Sequence, residues 1–379
     1  MKITVVMGFF LPLPPVAGGA TEKLWYRLAL EFARRGHEVT VVSRTWRDWP
    51  ERETRDGVYH LRVRGYDHTG RLTRNLWRDF WWSLRVWRAL PAADVTVVNC
   101  VALPVWLGWL RKRTGYLAVM PGRMPKGQYR LYRRLDRVLA VSSPVRAAVV
   151  SENPRLAPLI KVFGCPIPWS ELSAARSVSV PSPVVTIGFV GRLHREKGLD
   201  LLAAALVLLA KATGLPPWRV VFCGPVDIER GGSGEAYVRG LADELRSALP
   251  AGAFELRPPL FAEDLLADVY RSLDVFCYPS LAAKGETFGV AVAEAMAAGA
   301  VPVVSSLPCF EDYIRPGENG ESFDYQASDA AARLAAILAR LLADPDRRRR
   351  LAVAARATVQ IYDYPAFADR LLADFSALK

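Results

Sequence analysis

Histidine is scarce, four in 379 residues, which argues against a site built from clustered imidazoles. Cysteine is scarce too: Cys100, Cys165, Cys223, Cys277 and Cys309 are odd in number, and none shows C-x-x-C spacing. Neither a zinc cluster nor a disulfide framework fits that pattern, and the chain reads as reduced and cytosolic. Long apolar runs are also missing. Those at 95–110 and 199–210 are broken by polar residues or fall short of the ~20 apolar residues a spanning helix needs. The opening stretch superficially suits a secretory signal, but Pro12, Pro14 and Pro15 interrupt it and one lysine precedes it. A buried first strand running into a Gly-rich loop explains the same letters better.

What the chain does contain is globular: 51% hydrophobic, 23% charged and 10% aromatic residues, at a length that suits two domains. The net charge of +12 is uneven. Residues 1–180 carry 29 Lys and Arg against 13 Asp and Glu, while the rest carries 21 against 25. A basic half calls for an anionic partner: phosphates, acidic lipid or nucleic acid. No RRM, KH, zinc-finger or helix-turn-helix signature accompanies the charge, so nucleic acid is not expected.

Short β-branched runs alternate with helical patterns. Strands are expected at 2–7, 38–43, 58–64, 96–99, 116–120 and 137–142, then at 184–190, 219–223, 275–278 and 301–305. Leu24, Leu28, Leu30 and Phe32 mark a helix over 21–35, which Gly36 stops. Strand–helix alternation with short loops is the pattern of α/β parallel sheets covered on both faces. Pro166, Pro168, Pro181 and Pro183 place a hinge at 166–182. The expected domains are 1–165, completed by a C-terminal helix at 362–379, and 183–361. The fold class is thus α/β, with two Rossmann-like parallel-sheet lobes.

The sharpest chemical signal spans 278–299, Y-P-S-L-A-A-K-G-E-T-F-G-V-A-V-A-E-A-M-A-A-G. A strand ends, a Gly-containing loop follows, and a helix starts near Gly289. Glu286 in the loop and Glu294 about two turns into the helix form an E-x7-E pair. The amides of Phe288, Gly289 and Val290 at the helix start suit a diphosphate. A loop carboxylate beside them can accept bonds from sugar hydroxyls, and one further along can hold a ribose.

These residues resemble the GT4 family of retaining glycosyltransferases, which implies the GT-B architecture of two Rossmann-like parallel-sheet lobes facing across a cleft. The resemblance continues in Gly188-Phe189-Val190-Gly191-Arg192-Leu193, three further residues, and Lys197-Gly198-Leu199, which is similar to the family's G-R-L-x3-K-G segment. In the first lobe, Gly18-Gly19-Ala20-Thr21-Glu22 and Gly36-His37-Glu38-Val39 look like its G-G loop and G-H-E-V turn. The resemblance covers nearly the whole chain, more loosely between about 48 and 134. It implies that Arg192 and Lys197 clamp the donor diphosphate and that Gly18 and Gly19 let backbone approach it. It also implies that Glu286 contacts the transferred sugar, Glu294 the ribose, and Phe288, Gly289 and Val290 give backbone contacts. Two cations neutralising a departing diphosphate need no metal, and the nucleotide sugar is a co-substrate, so no cofactor is expected. In one place the chain departs from the family: Asn99 stands where many members carry a His in a D-x4-H segment. Asparagine can orient a hydroxyl but cannot act as a general base. In a front-face reaction the leaving phosphate itself can take the acceptor proton.

The segment 70–90, G-R-L-T-R-N-L-W-R-D-F-W-W-S-L-R-V-W-R-A-L, is expected to form a helix. Arg74, Arg78, Arg85 and Arg88 share one arc with Trp81, flanked by Trp77 and Trp82. Leu72, Leu76, Phe80, Val86, Trp87 and Leu90 face the other way, toward the lobe. Arginine mixed with Trp suits docking on an anionic membrane. Arg111, Lys112, Arg113, Arg123, Lys126, Arg130, Arg133, Arg134 and Arg137 extend the field. The alternative is a solvated Arg face whose Trp side chains are covered by neighbours. Together these features describe an enzyme on the cytosolic side of a membrane. It would move a sugar from a nucleotide-diphosphate sugar to a lipid-linked or cell-envelope acceptor, with Glu286, Arg192, Lys197 and Asn99 as catalytic candidates. A GT-B nucleotide-sugar epimerase and a catalytically silent scaffold are the alternatives. The base, sugar, acceptor and oligomeric state are not encoded in these motifs.

Overall fold

The computed structural model describes residues 1–109, 111–174, 183–260 and 262–378. Positions 175–182 of the expected hinge lie outside these residues, as do the side chains of Arg111 and Lys112. The chain forms two compact units, Met1–Pro166 with Tyr364–Lys379, and Ile167–Asp363.

The first unit is built on strands β1 (Lys2–Val6), β2 (Glu38–Arg44), β3 (Arg52–Arg55), β4 (Val58–Val63), β5 (Val95–Val98), β6 (Tyr116–Val119), β7 (Arg137–Ala140) and β8 (Ile160–Val162). They form one sheet in the order β3-β4-β2-β1-β5-β6-β7-β8. Every pairing is parallel except β3 with β4. Helices α1 (Ala20–Arg34), α2 (Leu72–Ala89), α3 (Leu103–Leu107), α4 (Arg111–Thr114) and α5 (Ser143–Glu152) belong to this unit. In α1 the buried residues Trp25, Leu28, Ala29 and Phe32 follow helical spacing and face the sheet. The C-terminal helix Tyr364–Ser376 packs on α1 through Phe32 and Phe375 and the 2.6 Å pair of Arg35 with Asp369. Its buried Asp374 is neutralised by Arg137 at 2.8 Å and by Lys161.

The second unit holds β9 (Val185–Val190), β10 (Trp218–Cys223), β11 (Phe254–Arg257), β12 (Val275–Tyr278), β13 (Val301–Ser305) and β14 (Glu321–Phe323). The sheet order is β11-β10-β9-β12-β13-β14, parallel throughout. Its helices are α6 (Trp169–Leu172), α7 (Leu199–Ala210), α8 (Glu235–Ala248), α9 (Glu263–Arg271), α10 (Val290–Ala297), α11 (Ala330–Ala343) and α12 (Pro345–Val359). β9 and β13 are buried along their whole length, as strands covered on both faces must be.

Each expected strand is present within two residues of its expected bounds. β3, β8, β11 and β14 add to them, and the antiparallel β3 departs from an all-parallel first sheet. Both sheets reverse their strand order beside a central strand. The chain passes outward from β1 to β2 and β4, then returns to β5 on the other side of β1. It does the same from β9 to β10 and β11, returning to β12. In parallel sheets such a reversal opens a crevice at the carboxyl ends of the two central strands, where ligands bind.

Two buried titratable groups of the first unit oppose each other in acid. His60 on β4 is fully buried and neither ring nitrogen has a hydrogen-bond partner. Burial pushes its pKa down to about 4, and the charge of Arg62 adds to that. Asp79 on α2 is pushed up to about 6 by burial, against the pull of the Ala102 and Val101 amides. Between pH 6.5 and 4 the unfolded chain binds the His60 proton more readily, so stability falls as pH falls. Between pH 6 and 3.8 the folded chain binds the Asp79 proton more readily, so stability rises as pH falls. Each contributes a slope of at most about 1.4 kcal/mol per pH unit. Urea midpoints across pH 4–7 should therefore decline more steeply with acid in Asp79→Asn and less steeply in His60→Leu than in the wild type.

Candidate active site

The second unit places three of the expected residues on two loops at its reversal. Gly191–Leu199 follows β9, and the segment carrying Glu286 follows β12, the neighbouring strand. Lys197 Nζ donates to Glu286 Oε2 at 2.7 Å, with about a tenth or less of either side chain exposed. Ser280 Oγ donates to the same oxygen at 3.1 Å, and the Lys197 ammonium lies 5.2 Å from the centre of the Tyr278 ring. Burial raises the Tyr278 hydroxyl pKa well above its ordinary value, and the Glu286 carboxylate raises it further.

The loop after β9 depends on Gly198. Its φ is +71°, and a Cβ there would stand 1.9 Å from the Pro279 carbonyl oxygen. Only glycine lets the Lys197 loop lie this close to the chain leaving β12. Arg192 is on the same loop, half-exposed and turned aside. Its Nη2 donates to Glu196 Oε1 at 2.6 Å and its Nη1 to the Gly231 carbonyl at 2.9 Å.

Helix α10 begins at Val290, so Glu294 stands little more than one turn inside it, nearer the helix start than the sequence spacing implied. Gly289 is its N-cap and no side chain caps it. Tyr313 Oη donates to the Phe288 carbonyl at 2.8 Å and lies 3.3 Å from the Gly289 carbonyl. The first amides to bond back are those of Val292 and Ala293, both to Gly289. The amides before them face the helix's positive end, as an anion site requires. The Phe288 side chain is buried, leaving only its backbone for a ligand. Glu294 Oε2 accepts a 2.9 Å bond from Tyr270 of α9.

The first unit brings Gly18, Gly19 and Asn99 to its own reversal, behind β1 and β5. Gly18 (φ +81°) borders open space. Gly19 does not: the Glu22 carboxylate and Leu11 fill the position its Cβ would take. Burial raises the Glu22 pKa, while its own amide and Arg123 oppose the shift. Asn99 sends its backbone N–H and its Nδ2 to the Val6 carbonyl, at 2.9 and 3.3 Å. Its Oδ1 is buried without a hydrogen-bond partner.

Helix α2 is present, but its docking side needs correction. Trp82 is fully buried and its Nε1 donates to the Met7 carbonyl at 3.3 Å. Arg78 is bonded to the Asp67 carbonyl, and Arg85 to that of Arg64 at 2.8 Å, both stacked on Tyr66. These three side chains fasten the helix to the segments that follow β1 and β4 and are not a free docking face. Conversely, Leu72, Leu76 and Phe80, expected to pack inward, are exposed beside Trp77 and Trp81. The inward side consists of Asp79, Trp82, Ser83 and Val86. Arg74 and Arg88 are exposed as expected.

Residues 18–165 match the family described as Glycosyltransferase Family 4, and residues 175–358 the one described as glycosyl transferases group 1. The chain belongs to the GT4 glycosyltransferase family. Its relatives include a D-inositol 3-phosphate glycosyltransferase of Thermomonospora curvata, 32% identical over 54% of this chain and 46% of that one. One of the same name from Kineococcus radiotolerans is 28% identical over 91% and 87%. A phosphatidyl-myo-inositol mannosyltransferase of Mycobacterium tuberculosis is 32% identical over 53% and 49%. The chain thus spans about half the length of the first and third of these and most of the second. Among solved structures, sucrose-phosphate synthase from Thermosynechococcus elongatus is 20% identical, with a TM-score of 0.74 over 100% of this chain and 99% of that one. HepE of Anabaena in complex with UDP is 17% identical, with a TM-score of 0.72 over the whole of both chains. These likenesses give the GT4 chain its GT-B fold.

Tyr270, Ser280 and Glu22 touch the expected residues of this GT4 chain but were not singled out from sequence. Ser280, in the Y-P-S that ends β12, was within reach of sequence reasoning; Tyr270, on another helix, was not. No helix among the described residues is long and apolar enough to cross a membrane. Removing one partner of a buried ion pair strands the other charge, at about 3–5 kcal/mol. Lys197→Met and Glu286→Leu should each lower the urea midpoint accordingly. The double variant should lose much less than the two single losses combined, the coupling a double-mutant cycle measures.

Proposed function

We propose that this chain transfers a sugar, with retention and without a metal, from a nucleotide-diphosphate sugar to an acceptor hydroxyl. The observation that carries the reading is the buried Lys197–Glu286 pair, at the strand-order reversal and with Arg192 on the same loop. In this structure each charge is the other's counterion. A diphosphate would take Lys197 and Arg192, and the sugar hydroxyls would take Glu286 in exchange. Phe288, Gly289 and Val290 would add backbone donors from the uncapped start of α10. Glu294, oriented by Tyr270, would receive the ribose.

In the front-face step the bond from the anomeric carbon to the phosphate oxygen breaks. The acceptor oxygen bonds to the same face, and its proton passes to the departing phosphate. The two cations stabilise the charge that grows on this leaving group. Asn99 would orient the acceptor hydroxyl, which can donate to its unpartnered Oδ1. Gly18 would give room for a ligand at the start of α1.

An inositol-phosphate headgroup, free or lipid-linked, is the acceptor class that the relatives' names and the basic first unit support. The exposed outer side of α2, with Leu72, Leu76, Trp77, Phe80 and Trp81 beside the exposed Arg74 and Arg88, supports contact with an anionic membrane surface. UDP is the first nucleotide to test, since the HepE structure contains it.

A thermal-shift panel of UDP, GDP, ADP and TDP should single out one nucleotide that raises the melting point. Its sugar conjugates are then offered with D-inositol 3-phosphate, or with phosphatidylinositol in vesicles. Glu286→Gln should lower transfer by roughly two orders of magnitude while the nucleotide still raises the melting point. Full retained transfer would overturn the role of Glu286. Nucleotide binding without transfer or slow donor hydrolysis would leave a binding scaffold as the reading. Trp77→Ala with Trp81→Ala should reduce flotation with anionic vesicles. Unchanged flotation would remove the membrane contact from the proposal.

A further inference from the structure

The turn that follows Asn99 is held from outside itself. Cys100 to Ala102 lead into α3, whose N-cap, Ala102, has no side-chain cap. Helix α2 supplies an acceptor for the two amides that precede α3. Asp79 Oδ2 receives the N–H of Ala102 at 2.6 Å and that of Val101 at 3.1 Å. From the other side Tyr132 Oη donates to the Val101 carbonyl at 2.8 Å. Asn99 itself is bonded to Val6, so the amide at the end of β5 is fixed before and after.

Asp79 is an unusual residue for its place. It is 5% exposed on the inward side of an amphipathic helix, where an aliphatic side chain would avoid the cost of burying charge. Burial pushes it up to about 6, and no ion pair with it is found among the described residues. The groups facing it are the buried Cys100 thiol and the Tyr132 hydroxyl, both held neutral by burial. What the carboxylate gains is two backbone amides of one turn, and that turn carries Asn99 at its start.

We propose that Asp79 is a positioning residue for the acceptor: by holding the Val101 and Ala102 amides it sets the Asn99 side chain against the hydroxyl that attacks. The inference rests on the preceding reading, in which Asn99 meets the acceptor.

The test compares wild type, Asn99→Ala, Asp79→Ala, Asp79→Asn and the Asn99→Ala/Asp79→Ala double variant. The acceptor is D-inositol 3-phosphate or vesicle-borne phosphatidylinositol, whichever the wild type uses. Asp79→Ala should raise the acceptor KM roughly tenfold while leaving the donor KM and slow donor hydrolysis unchanged. Asp79→Asn, which keeps an oxygen acceptor, should recover most of the loss. The double variant should be no worse than Asn99→Ala alone, because the two residues act as one unit. If Asp79→Ala does not fold, Asp79→Asn carries the test. The wild-type acceptor KM should then rise modestly, by less than the Asp79→Ala loss, as pH falls through about 6 and approach that of Asp79→Asn, in which this change should be absent.

An acceptor KM raised by Asn99→Ala but not by Asp79→Ala would overturn this inference and leave the reading beneath it standing. So would equal changes in donor and acceptor constants, or the same pH profile in Asp79→Asn as in wild type. No effect of Asn99→Ala, or no transfer to either acceptor, would overturn the reading itself.

Discussion

Both units depend on the direction of their central strands. Parallel strands send all their carboxyl ends to one edge, and the chain must leave that edge by loops. Where the strand order reverses, two successive loops depart to opposite faces and leave room between them. β1 and β5 do this in the first unit, β9 and β12 in the second. The candidate residues stand at these two places because the topology leaves space there.

Within that space the second unit spends electrostatic energy that an apolar core would not. Taking an ammonium and a carboxylate out of water is costly, and their mutual attraction only partly offsets it. Lys197 and Glu286 are nonetheless buried together, with Ser280 and the Tyr278 ring completing the surroundings. In the proposed transfer such a pair would discriminate by composition. A bare anion can satisfy the lysine only by stranding the glutamate, whereas a guest bearing both phosphate and hydroxyl groups satisfies both. Arg192, held by Glu196 and the Gly231 carbonyl near the surface, can be exchanged at lower cost.

The legible part of the fold was the part buried on both faces. β9, β12 and β13 are mostly apolar, interrupted only by the buried Thr186 and Ser305, because no side of them meets water. β3 reads Arg-Glu-Thr-Arg at an exposed edge and β11 is half-buried throughout, so neither carries that signature. For α2 the period was legible and the side was not. Hydropathy located the aromatic and arginine residues on the wheel, but Trp82 is buried and Arg78 and Arg85 are tied down because backbone carbonyls of Met7, Asp67 and Arg64 accept their N–H groups. The site followed the same division. Arg192, Lys197 and Glu286 were found from local spacing and family resemblance. Asp79, Tyr270 and Tyr132 act on residues more than twenty positions away, and no local pattern marks such a partner.

Gly198 has a further consequence. The backbone it brings against Pro279 carries none of the reacting groups, yet a methyl at that point would drive the two loops apart like a wedge. Tolerance to change along this edge is therefore governed by volume as much as by charge. A chain could keep every ion and hydroxyl of its chemistry and fall silent through a single carbon atom.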